Sequence, residues 1–102
     1  MDPERISDFN ISDVVVSTAG RDQGMYFYVI KEEQQFLYLA NGKDRQLDKP
    51  KRKKRKHVQK VLRSETRVAK KLRAGDKVLN GELRRDLADI CRNMQSNNLG
   101  GS

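Results

Sequence analysis

Tryptophan is absent, cysteine and histidine occur once each, and aromatic residues make up only 6% of the 102 residues. A lone Cys91 excludes an intramolecular disulfide framework and a cysteine-rich zinc site, and a free thiol suits a reducing, cytoplasmic setting. With His57 as the only histidine, no His-Glu-x-x-His pattern exists, and the chain also lacks a Gly-x-x-x-x-Gly-Lys-Ser/Thr phosphate loop and a Gly-x-Ser-x-Gly elbow. Catalysis needs a constellation of such groups, so the expectation is no enzyme, no cofactor, no metal and no small-molecule substrate. No apolar run approaches the ~20 residues that span a bilayer. The opening Met1-Asp2-Pro3-Glu4-Arg5 is charged and lacks the apolar stretch of a signal peptide, so no membrane partner is expected.

What the chain does have is charge of one sign in one place. From Lys43 to Arg63 there are eleven Lys or Arg against Asp44 and Asp48, a local balance of +9, and the remaining eleven basic and twelve acidic residues leave −1. The sequence therefore describes a near-neutral domain with one concentrated cationic tract, Lys49-Pro50-Lys51-Arg52-Lys53-Lys54-Arg55-Lys56-His57. Such a tract attracts polyanions, nucleic acid first and anionic membrane second. Pro50 fixes its own φ and pushes Lys49 into an extended conformation, so the tract is expected to be a protruding extended segment whose alternate side chains reach opposite sides. A solvated disordered run and a nuclear import signal are the two other readings of the same residues.

The apolar residues fall into two blocks with different periods. Val14-Val15-Val16-Ser17-Thr18, Met25-Tyr26-Phe27-Tyr28-Val29-Ile30 and Phe36-Leu37-Tyr38-Leu39-Ala40 are β-branched or aromatic runs of strand length, joined by short polar connections and followed by the turn dipeptide Asn41-Gly42. A fourth strand is expected around Gln46 and Leu47, and a fifth at His57-Val58-Gln59-Lys60-Val61. Short strands this close together are expected to curl into a small SH3-like barrel that manages its own edges. Phe27 is expected inside it, with Tyr26 and Tyr28 at the rim, and the exposed aromatics, Phe36 and Tyr38 among them, are candidate stacking platforms for unpaired bases.

Beyond the strands the period becomes helical. Val68, Ala69 and Leu72 share one side of a segment from Glu65 to Ala74 that Gly75 stops, and Leu83, Leu87, Ile90 and Met94 form one stripe of a second helix for which Asn80 is the expected N-cap. Both helices read as short, so their stripes need burial against each other, the barrel or a partner. The expected architecture is mainly β, a barrel of about five strands followed by two short C-terminal α-helices. Its divisions are an N-terminal extension over 1–12, the barrel with its basic loop over 13–63, a helical hairpin over 64–95 and a flexible tail over 96–102.

The segment Asp13 to Val29, in which a small-Gly-basic-Asp-x-Gly loop, Ala19-Gly20-Arg21-Asp22-Gln23-Gly24, joins two apolar runs, resembles the KOW motif of ribosomal and transcription-associated proteins. Its continuation through Asn41-Gly42 and the Lys-Pro-basic-His run is similar to small bacterial KOW-domain RNA-binding proteins related to the fourteen-e family of archaeal and eukaryotic large-subunit ribosomal proteins. The resemblance covers about Asp13 to Leu62. It implies an SH3-like barrel and RNA binding, with ribosomal RNA or the large subunit as partner and ribosomal proteins as neighbours. The candidate phosphate contacts are Arg21, Lys43, Arg45, Lys49, Lys51, Arg52, Lys53, Lys54, Arg55, Lys56, His57 and Lys60, with Gly20 and Gly24 shaping the loop. A protein-interaction module in the translation or transcription machinery, docking through the barrel or the helical stripe, is the competing reading.

Overall fold

The computed structural model describes residues 9–100, with side chains described as far as residue 94. Five strands come first, β1 (Asp13–Ser17), β2 (Tyr26–Glu32), β3 (Phe36–Ala40), β4 (Lys51–Lys54) and β5 (Val58–Arg63), followed by α1 (Arg67–Ala74) and α2 (Asn80–Gly100). The strands form one antiparallel sheet in the order β4-β3-β2-β1-β5. The fold is mainly β with two C-terminal helices, as the residue pattern implies.

Chain connectivity forces this sheet to curl. β4 and β5 lie at opposite edges, yet only the three residues Arg55–His57, in a 3-10 turn, separate them. Flat packing would hold the edges roughly 19 Å apart at ~4.8 Å per strand step, whereas that connection reaches at most about 14 Å. Register shifts in β1 between Val14 and Val15 and in β2 between Val29 and Lys31 supply local bending. Backbone bonds from Thr18 N–H to the His57 carbonyl (2.9 Å) and from Arg55 N–H to the Gln35 carbonyl (3.0 Å) hold the turn across the end of the curl. The result is barrel-like with an open seam, since the strand order does not close β4 onto β5.

The sheet buries apolar side chains on both faces. Val15, Phe27, Val29, Leu37, Leu39 and Val58 fill the inside of the curl, together with Phe9. Phe9 lies in the segment expected to be an extension, so the packed unit starts before Asp13; residues 1–8 of that segment lie outside the described residues. On the other face Val14, Tyr28 and Ala40 pack under Val68 and Ala69 of α1 and Leu83 and Leu87 of α2. Thr66 caps α1 by accepting from Ala69 N–H, and Gly75 ends the helix. The first half of the helical stripe is therefore core.

Several expectations need correction. The fourth strand is the basic run itself, not Gln46 and Leu47, because Asn41 Oδ1 accepts from the Lys43 and Arg45 amides and winds that stretch into a compact loop. The extended residues are Lys51–Lys54, after Pro50, and they pair with β3 instead of protruding; Lys49 sits in a turn, its amide donating to the Gln46 carbonyl at 3.0 Å. α2 is long, at 21 residues, and continues through Gly100 into the expected tail, of which 101–102 lie outside the described residues. Asn80 Oδ1 accepts from Leu47 N–H at 2.7 Å, tying the helix start to the loop. Tyr28 is fully buried, since α1 and α2 cover its face of β2, and its hydroxyl donates its single proton to Asp86 while its oxygen pairs with the Ser64 hydroxyl. That burial, together with the Asp86 carboxylate, pushes the Tyr28 hydroxyl up to about 12.

Candidate nucleic-acid interface

Alternation along β4 divides its four basic residues between two faces. Lys51 and Lys53 stand opposite Leu39 and Leu37 and share the inner face; Arg52 and Lys54 stand opposite Tyr38 and Phe36 on the outer one. On the inner side the Gly20–Gly24 loop folds against the strand. Gly20 and Gly24 both adopt positive φ, +86° and +90°, which glycine reaches without a Cβ penalty. This turn brings the Asp22 carboxylate 2.9 Å from Lys53 Nζ and 3.4 Å from Lys51 Nζ, and Lys53 also donates to the Ala19 carbonyl at 2.8 Å. Burial alone would raise the Asp22 pKa, but hydrogen bonds from Lys53 and Ser17 and the charges of Lys53 and Lys51 prevail. They hold it at about 2, below the ordinary 3.8.

Lys53 is thus a structural residue and not an external contact. Only 8% of it is exposed, and its charge is taken up by Asp22. Other candidates are partly engaged as well. Arg55 pairs with Glu32 at 2.8 Å and donates to the Glu33 carbonyl, Lys60 lies 3.3 Å from the buried Asp13 carboxylate, and His57 is half-buried in the 3-10 turn. No group of three or more His, Cys, Asp or Glu side chains that could hold a metal ion occurs among the described residues.

The remaining candidates face solvent, all but Lys43 on or beside the β4 edge. Arg21, Lys43, Arg45, Lys49, Lys54 and Lys56 are exposed and make no ion pair among the described residues, and Arg52 is exposed with its guanidinium 3.7 Å over the Phe36 ring. Two concavities end this belt. Arg21, Arg45 and Lys51 line a groove of about 310 Å³, shared with Asp22 and Asp44, where the Gly20–Gly24 loop meets the loop before β4. Lys54, Arg55 and Lys56 line a cleft of about 340 Å³ with Gln34 and Gln35 at the β2–β3 turn. Lys43 stands apart from both, in a depression with Arg84, Tyr26 and Cys91, where burial pushes the thiol pKa up.

The helices position part of this belt. Gly42, at φ +78°, lies so close to the start of α2 that a Cβ built on it would sit 2.2 Å from the Asn80 carbonyl oxygen and 2.9 Å from Arg84 N. Only glycine permits that approach. With the Leu47–Asn80 hydrogen bond, it fixes the loop carrying Lys43, Arg45 and Lys49 against α2. Residue-level reading missed Lys31, Gln34, Gln35 and Arg84 at this surface, and missed that Asp22 binds two of the lysines. Asp22 lies 29 and 31 residues from Lys51 and Lys53, so no local spacing signals the pairs.

No protein-family model matches the chain, and no curated protein matches it. Among the described residues no helix is long and apolar enough to cross a membrane.

Proposed function

We propose that this chain is a non-catalytic, cytoplasmic RNA-binding protein that engages ribosomal RNA or the large ribosomal subunit through the β4 edge, in the manner of the KOW-domain proteins its sequence resembles. The observation that carries the reading is the belt of exposed cations, Arg21, Arg45, Lys49, Arg52, Lys54 and Lys56, set on a folded edge with a concavity at each end. Exposed cations on a rigid scaffold contact phosphates without first having to order, and they orient a duplex or loop without reading its sequence. Edge lysines also discourage strand-to-strand association. That role would not call for further exposed cations on the neighbouring loops at Arg21 and Arg45.

The test replaces the solvent-facing cations and spares Lys51 and Lys53, whose loss would disturb Asp22. Lys49, Arg52, Lys54 and Lys56 changed together to Gln should leave thermal unfolding close to wild type. The same variant should weaken binding to ribosomal RNA and flatten the dependence of log K on log salt by about 3 to 4, at ~0.9 for each duplex phosphate that is no longer neutralised. In gradient sedimentation of a lysate, wild-type protein should travel with the large subunit at low salt and the variant should not. Unchanged affinity and unchanged co-migration would overturn the proposal.

A further inference from the structure

Five of the six aromatic residues lie in β2 and β3, and the fold treats them unequally. Phe27 fills the inside of the curl, Tyr28 lies under the helices, and Tyr26 packs beside it. Phe36 and Tyr38 share a sheet face with Ala40, but α1 and α2 cover only the Ala40 end. The two rings belong to neither core and remain half-exposed.

Each ring is bordered by cations. Lys31, Tyr38 and Arg52 are register partners across three strands, and Phe36 pairs with Lys54 in the next row of that face. Lys31 Nζ stands 5.4 Å from the Tyr38 centroid, and the Arg52 guanidinium lies 3.7 Å over Phe36. Arg52 is itself exposed, so its outer plane is open for a further planar group. The neighbouring anion, Glu33, accepts from the Tyr38 hydroxyl at 3.3 Å and lies 4.0 Å from Lys31, which offsets its charge.

We infer that this face, Phe36, Tyr38 and Arg52 flanked by Lys31 and Lys54, is a stacking platform for unpaired RNA bases, so the protein takes single-stranded or looped RNA in preference to continuous duplex. The inference rests on the RNA-binding reading above. Planar groups stacked on aromatic and guanidinium planes are available only where bases are splayed out, while a duplex keeps its base faces inside. Arg52 and Lys54 stand two residues apart, roughly 6.6 Å along the strand, which sets two cations beside the rings for the phosphates of the same segment.

The test compares a single-stranded RNA oligonucleotide with the same strand annealed to its complement, at matched salt, by fluorescence anisotropy. Charge density alone favours the duplex, so tighter binding of the single strand is the expected and informative result. Phe36→Leu with Tyr38→Leu should lower single-strand affinity at least tenfold, leaving the salt slope and duplex affinity unchanged. Arg52→Lys, at an exposed site that does not endanger folding, should lower single-strand affinity several-fold at constant charge. Wild-type affinity for the single strand in both variants, or equal losses on single strand and duplex, would overturn the platform while leaving RNA binding intact. No binding of either RNA by the wild-type protein at low salt would overturn the RNA reading and the platform together.

Discussion

Lys53 and Lys54 are neighbours in the same strand, identical in chemistry, and opposite in role. Lys53 points into the curl, where Asp22 and the Ala19 carbonyl hold its ammonium, and Lys54 points out beside Phe36 into solvent. A basic run therefore cannot be read as a uniform surface. Once it pairs as a strand, every second residue is committed to the interior, and there a lysine is stable only if a carboxylate meets it. The Gly20–Gly24 loop supplies that carboxylate and clamps itself to the edge strand.

The largest effect that breaks the comparison is expected at Lys53. Lys53→Ala should destabilise the fold by about 3 kcal/mol, the low end for breaking a buried pair, because Asp22 keeps Ser17 and Lys51 as partners. Chemical denaturation measures this, and Lys53→Met combined with Asp22→Asn should recover most of the loss, since the pair is then removed as a unit. A smaller effect is expected from acid. Asp22 falls from 3.8 to about 2 on folding, so its ionised form is favoured in the native state. The associated stabilisation, about 2 kcal/mol, is complete above about pH 4 and disappears as pH falls toward 2. In Asp22→Asn that part of the acid unfolding profile should be missing. The smallest stability effect is expected at Lys54. Lys54→Gln should change stability by no more than about 0.5 kcal/mol, while reducing the salt dependence of the proposed RNA binding by about 1. A Lys54 variant as unstable as the Lys53 variant would erase the distinction between the two faces.

The strands at Asp13–Ser17, Tyr26–Glu32 and Phe36–Ala40 were legible because β-branched and aromatic runs of that length, punctuated by glycine and polar turns, fit a sheet and little else. The two helices were legible from their apolar stripes and from Gly75. The fourth strand was not legible as a strand, since Lys-Arg-Lys-Lys has no apolar alternation to mark a buried side. Its pairing comes from the Leu37 and Leu39 side of β3 and from Asp22. Tyr28 lies in the core and not at the expected rim for a related reason. Strand alternation separates Tyr28 from Phe27, but only the later helices decide that the tyrosine face is covered and that Asp86 stands there to accept from its hydroxyl.

By itself the sequence determined the first three strands and the two helices, the concentration of positive charge between Lys43 and Arg63, and the order of a β unit before two helices. Those properties follow from residue type and near spacing. Tertiary structure alone decided which lysines are external, which aromatic rings stay uncovered, and how closely the Gly42 loop sits on α2. Each of these depends on residues tens of positions apart meeting across a curled sheet, and no short-range pattern encodes that meeting.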